Sequence, residues 1–174
     1  MLMRDLIAEQ MAELDRLNDR IQSLDKRVEQ MSRAVMPCRQ LLAIEGVGPV
    51  IATQLYSALG NGNAFKKGRQ ASAYLGLTPT QHSSGGIAKI KGIGRTGQVS
   101  LKAALIRGAH SVINTVGDKQ DAKSCWLRAL VARVGKNKAA VALANKTVRT
   151  AWAVLHRGQS YCREFNEGSA LMVS

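Results

Sequence analysis

Between Gly46 and Gly117 the chain has no aspartate or glutamate, although eight lysines and arginines fall in the same stretch. A solvated protein face mixes signs, so this absence excludes an ordinary balanced surface and points to a polyanionic partner, nucleic acid first. Long apolar runs are missing too, and so is a basic amphipathic helix with an aromatic face, which argues against a membrane partner. The three cysteines, Cys38, Cys125 and Cys162, are far apart and form no CxxC pair. They read as reduced thiols in a cytoplasmic protein rather than as a disulfide framework. The N-terminal MLMRDLIAEQ carries acids where a signal peptide has its apolar core, so no export is expected.

What is present is unevenly spread. The 174 residues carry a formal net charge of +13. Residues 1 to 40 hold seven acids and seven bases, whereas residues 41 to 174 hold five acids and eighteen bases, which accounts for the whole excess. A chain of this length buries one ordinary core, with room for a small element outside it.

The neutral N-terminal part has that outside element written into it. Ile7, Leu14, Ile21, Val28 and Val35 fall at a positions, and Met3, Gln10, Leu17, Leu24 and Met31 at d positions. Such a seam predicts a coiled-coil rod of roughly 50 Å ending at Pro37. β-Branched residues at a with leucine at d favour a parallel homodimer, with an antiparallel or intramolecular partner left open. The predicted division is therefore a rod over 1–36, a helical domain over 37–161 and a tail over 162–174.

Within the helical domain, a short helix, the turn Gly46-Val47-Gly48-Pro49 and an apolar helix from Val50 to Leu59 form a helix-hairpin-helix pattern. Backbone N–H groups of such a turn can face a phosphate, although a tight turn between two helices has the same signature. Lys66 and Lys67 follow in a turn-rich loop. A helix over Arg69–Leu75 is predicted to bury Ala73, Tyr74 and Leu77. Val99–Val116 should follow as a helix with Lys102 and Arg107 off its core face, and Asp118 should cap the next, which turns Trp126 inward. The last, Asn137–His156, sets Lys146 and Arg149 outside and places Lys136 and Lys138 in its first turn, where a bound phosphate would relieve their conflict with the helix dipole.

The densest chemistry lies in Thr78–Gly97, TPTQHSSGGIAKIKGIGRTG. Ser83 and Ser84 precede a Gly-Gly pair, and Lys89, Lys91 and Arg95 lie among glycines and isoleucines, so a short irregular hairpin is expected. Glycines let a backbone approach a bulky anion, cations balance its charge, and a serine held there could attack a phosphodiester. A flexible surface loop with incidental charges is the plainer reading. His82 offers no Ser-His pair, because neighbours in sequence point different ways and no third group orients it.

Three blocks, GVGPVIATQLYSAL, FKKGRQASAYLGLTPTQHSSGGIAKIKGIGRTGQVSLKAALIRGAH and WLRALVARVGKNKAAVALANKTVRTAWAVLHRG, carry a resemblance. Over Leu41–Tyr161 the chain resembles the C-terminal serine domain of insertion-sequence transposases whose N-terminal half is a RuvC-like DEDD domain, relatives of Piv-type DNA invertases. The rod matches the coiled coil that links the two domains in that family. The resemblance implies DNA recombination through a covalent phosphoserine link, with Ser84 as nucleophile and Ser83 as second choice. It also implies Lys89, Lys91 and Arg95 along the DNA, Mg²⁺ held by the DEDD carboxylates, and a guide RNA from the element itself. The family usually has arginine at Lys102, which is placed with the phosphate contacts, and a hydroxyl residue at Gly94. The remaining acids outside the rod, Glu45, Asp118, Asp121, Glu164 and Glu167, have no metal-cluster spacing, so no cofactor is expected in this chain and the DEDD domain would have to come from a longer protein or a partner chain. Two other readings compete: a stand-alone helix-hairpin-helix protein that binds nucleic acid as a dimer without catalysis, and a scaffold whose one activity is coiled-coil pairing.

Overall fold

The three-four spacing of apolar residues near the N-terminus winds into one helix, α1, Leu2–Ala34. In the computed structural model, which describes residues 2–79, 81–84, 87–90, 92–94 and 96–161, α1 stands out from a helical body. Its seam is bare along most of its length, with Leu17 46% and Ile21 55% exposed. Only the last turns dock. Ser32 is buried, Val28 is half-buried and Val35 packs on the core, where α1 meets α3. The last a position of the predicted seam thus packs on the chain's own body, while Met31, a d position one turn earlier, is still 60% exposed.

The body is mainly α, as the sequence predicts. α2 is Met36–Leu41, with Pro37 in its first turn, where a missing N–H costs nothing. α3 is Pro49–Leu59 and begins at the proline that follows Gly48. α4, Gly68–Tyr74, starts with Gly68 pressed against Trp152 and the backbone of Arg149 on the last helix. That contact sets its face: Ala71, Ser72 and Leu75 are buried and Leu77 beyond it is too, while Ala73 and Tyr74, predicted to be inside, are exposed. Tyr74 instead packs its ring against Phe65 at 5.4 Å.

Two strands follow, β1 Gln81–Ser84 and β2 Ile87–Ile90, paired antiparallel with His82 opposite Lys89, Ser83 opposite Ala88 and Ser84 opposite Ile87. The remaining helices are α5 Val99–Thr115, α6 Ala122–Val134 and α7 Lys136–Arg157. Asp121, not the predicted Asp118, caps α6: its carboxylate accepts from the Ser124 backbone N–H at 3.1 Å and from the Ser124 hydroxyl at 2.6 Å. The core centres on α5 against α7, where Leu101, Leu105 and Ala109 meet Ala140, Leu143, Ala144 and Val148. Leu127 and Leu130 of α6 join it, whereas Trp126 lies at the surface at 36% exposure. The predicted tail, 162–174, is outside the described residues. No described helix is long and apolar enough to cross a membrane.

Candidate nucleic-acid interface and serine loop

Two places gather the residues that the sequence singles out, and both are built on α5. The first is the turn between α2 and α3. Gly46 adopts φ +82° and lies so close to α5 that a Cβ on Gly108 would come within 2.2 Å of the Gly46 carbonyl oxygen. This backbone-to-backbone contact leaves Gly48 on the outside, with nothing within 4 Å of where its Cβ would be. The first-turn N–H groups of α3 have no acceptor inside the helix, and that turn contains no acid. Gly46, Val47 and Gly48 border an open groove whose far wall is Arg107, Gly108 and Ser111 of α5. A cation, a hydroxyl and a helix N-terminus therefore share one concavity.

The second place is the foot of the serine loop, six residues earlier on α5, about 9 Å along its axis. Lys102 is buried at 7% exposure, and its ammonium donates to the Gly94 carbonyl at 2.7 Å and the Thr96 carbonyl at 3.0 Å. Chain segments from either end of the loop cross there. A Cβ on Gly76, at φ +74°, would fall 2.1 Å from the Thr96 oxygen, and one on Gly97 would fall 2.6 Å from the Leu75 carbonyl carbon. Asn145 of α7 adds a hydrogen bond from its amide to the Leu77 carbonyl at 3.0 Å. The hairpin that ends β1 at Ser84 is thus fastened at its base by an ammonium, two glycines and an amide. Among the described residues, no three histidine, cysteine or acidic side chains come together in a way that could hold a metal ion.

Residues 38–124 match the family described as Transposase IS116/IS110/IS902. The chain belongs to that transposase family. It is similar, at 40% identity over 159 residues, to a protein of Pseudomonas aeruginosa named "Probable family 20 transposase", and the match covers 91% of this chain and 47% of that one. It is also 39% identical over 149 residues to the transposase for insertion sequence element IS1111A of Coxiella burnetii, covering 86% of this chain and 41% of the relative. The chain spans less than half the length of these two curated relatives.

Within this transposase chain the predicted site residues separate by role. Gly46 and Gly48 form the groove above. Lys66, Lys67, Lys136 and Lys138 are exposed on separate elements, the first two between α3 and α4 and the others in the first turn of α7. Ser83, Ser84 and Lys89 lie in the hairpin strands, while Lys91 and Arg95 lie outside the described residues. Lys102 corrects the expectation of a cation off the core face: it is buried, and its ammonium donates to two carbonyls at the foot of the loop. Sequence reasoning passed over Arg107 and Ser111 as groove residues. Their spacing of four around Gly108, inside the acid-free stretch, was the signal that would have found them. Cys38 is buried and its thiol is pushed above its ordinary value by desolvation, which suits packing rather than nucleophilic chemistry.

The clasp carries a testable consequence. Lys102→Met keeps the buried stem and removes two charge-assisted hydrogen bonds, each worth about 1.5–3 kcal/mol before the relief of burying no charge is counted. A net loss near 1.4 kcal/mol corresponds to about tenfold more frequent opening. Hydrogen exchange at residues 92–97 should accelerate by at least that factor, with Lys102→Arg restoring protection in part. Unchanged exchange there would mean that the ammonium holds nothing.

Proposed function

We propose that this chain is the DNA-gripping and nucleophile-bearing part of its transposase, with Ser84 as the attacking residue and Ser83 as the alternative. The observation that carries the reading is the SSGG block on a hairpin latched at its base, in a chain of a transposase family. In the reaction the Ser84 hydroxyl oxygen forms an ester bond to phosphorus, one P–O bond of the DNA breaks, and the departing oxygen ends protonated. Glycines flanking the hairpin let the backbone close on the phosphate, and Lys89, Lys91 and Arg95 balance its charge. A serine hydroxyl needs activation that no described residue supplies, so the RuvC-like DEDD domain, with Mg²⁺ on its carboxylates, belongs elsewhere in a longer protein or a partner, and an element-encoded RNA would guide it. On this reading the chain is the C-terminal serine domain of a transposase related to Piv-type DNA invertases, working in the cytoplasm.

The turn at Gly46–Pro49 acts, in this reading, as a helix-hairpin-helix contact for the DNA backbone. Binding should weaken steeply with salt, by about 0.9 log units of affinity per log unit of salt for each duplex phosphate neutralised. Changing Lys89, Lys91 and Arg95 to alanine should reduce that slope by up to about 2.7 without altering sequence preference. When the DEDD domain and its cognate nucleic acids are added, a protein–DNA adduct that survives denaturation is the decisive product. If none forms with both serines intact, the reading is wrong.

The bare seam of α1 supports a homo-oligomer through the rod. Size exclusion with light scattering should find a dimer or larger assembly at tens of micromolar. Leu17→Asp with Leu24→Asp charges two exposed d positions, so it should yield a folded monomer with unchanged helical signal from the body. A wild-type monomer at that concentration would remove the rod from the interface.

A further inference from the structure

The loop between α3 and α4 closes on one side of α7. Trp152 donates its indole N–H to the Gly62 carbonyl at 3.0 Å, and a Cβ on Gly62 would press on Trp152 and His156, as one on Gly68 would press on the six-membered ring of the same indole. His156, one turn along α7, stacks on that indole at 4.9 Å and 12°, and is exposed where Trp152 is half-buried. Three residues beyond Gly62, Phe65 makes a second aromatic pair with Tyr74, which is 50% exposed. The loop that joins the two pairs is held at both ends. Asn63 donates its backbone N–H to the Asn61 side chain at 3.1 Å, and Lys66 donates its own to the Gln70 side chain at 2.8 Å. Lys66, Arg69 and Arg157, neighbours in sequence of Phe65, Gly68 and His156, are exposed, and no acid occurs in residues 47–116 or 122–163. Cations elsewhere on α6 and α7 are engaged within the fold, Lys123 by Glu45 at 2.7 Å and Lys146 over the Trp126 ring at 4.4 Å.

Aromatic faces beside cations, on an anchored loop, suit an unpaired strand better than a duplex, which keeps its base faces inside the stack. We infer that Tyr74 and His156, each backed by a second aromatic ring, are stacking positions for the bases of an unpaired DNA strand, with Lys66, Arg69 and Arg157 along its phosphates. The inference rests on the DNA reading above and adds a surface for DNA whose pairing has opened, as exchange of strands between duplexes requires. The backing rings hold the outer rings in place, so less freedom is lost when a base joins them. α4 links this surface to the serine hairpin, because Tyr74 ends that helix two residues before Gly76 at the foot of the loop.

The test titrates the full chain with a labelled DNA strand, its duplex, an abasic strand of the same length and an RNA of the same sequence, using Tyr74→Leu with His156→Leu. Leucine keeps apolar contact with Phe65 and Trp152 but offers no π face. Affinity for the single DNA strand should fall about tenfold or more. The salt slope should not change, because no lysine or arginine is removed, and duplex and abasic affinities should stay at their wild-type values. Tyr74→Phe with His156→Phe should restore binding of the single strand. Equal weakening on all three DNA forms, no weakening on the single strand, or no rescue by phenylalanine overturns the stacking surface and leaves the duplex reading standing. A loss confined to RNA overturns DNA as the occupant. A wild-type chain that binds no form of DNA removes both readings together.

Discussion

Ser84→Ala is expected to abolish the covalent protein–DNA adduct completely, while Ser83→Ala leaves it in place. The contrast is one of kind. Removing a cation that balances charge in the transition state slows a reaction by roughly 10²–10³-fold and still lets product build up over time. Removing the oxygen that forms the ester leaves nothing to bond to phosphorus, so no adduct accumulates at any time. Lys89→Ala should therefore give a slow adduct and Ser84→Ala none, in the same denaturing gel and with the DEDD domain present in every lane. The reverse pattern moves the nucleophile to Ser83, and an adduct that persists in the double serine variant ends the serine mechanism for this chain.

The second large effect belongs to Gly108. Glycine inside a helix costs about 1 kcal/mol relative to alanine, so on propensity alone Gly108→Ala should stabilise α5. The geometry opposes this strongly: the new Cβ would sit 2.2 Å from the Gly46 carbonyl oxygen, and neither partner is a flexible side-chain tip. Relieving the overlap requires the Gly46 turn and α5 to move apart, and overpacking of this sort costs about 1–3 kcal/mol or more. With both partners backbone the cost lies at the upper end of that range, so net of the propensity gain we expect a loss of about 2 kcal/mol, which at about 2–4 °C per kcal/mol lowers Tm by roughly 4–8 °C. DNA affinity should fall with it, because the groove wall shifts. A Tm equal to or above the wild type would show that the approach of turn and helix is not tight in solution.

These two cases mark how far the sequence could be read. α1 was legible because its pattern is local: each a and d residue announces the same face without help from the rest of the chain. The glycine-interrupted segment after the serine block was legible as a short hairpin for the same reason. Lys102 was not, because a lysine belongs by default at the surface, and what makes it an interior residue is a pair of carbonyls delivered by the loop at Gly94 and Thr96. Gly108 was illegible as well: its meaning comes from Gly46, which lies far away in the chain. Asp118 was the cap expected from the sequence, and the helix instead took Asp121, whose carboxylate binds both the N–H and the hydroxyl of Ser124 three residues on.

The Glu45–Lys123 pair gives the molecule a counter-ion of its own. Glu45 adjoins the Gly46 turn and Lys123 belongs to α6, and both are largely shielded, at 30% and 16% side-chain exposure. A phosphate that reached Lys123 would have to displace this carboxylate, which would then recruit a cation from solution and cancel part of the gain from the cations shed by the DNA. Salt titrations would then undercount the lysines that touch the strand. The same competition would make the pair a discriminator, since only a dense row of phosphates could offset the loss of the Glu45 contact.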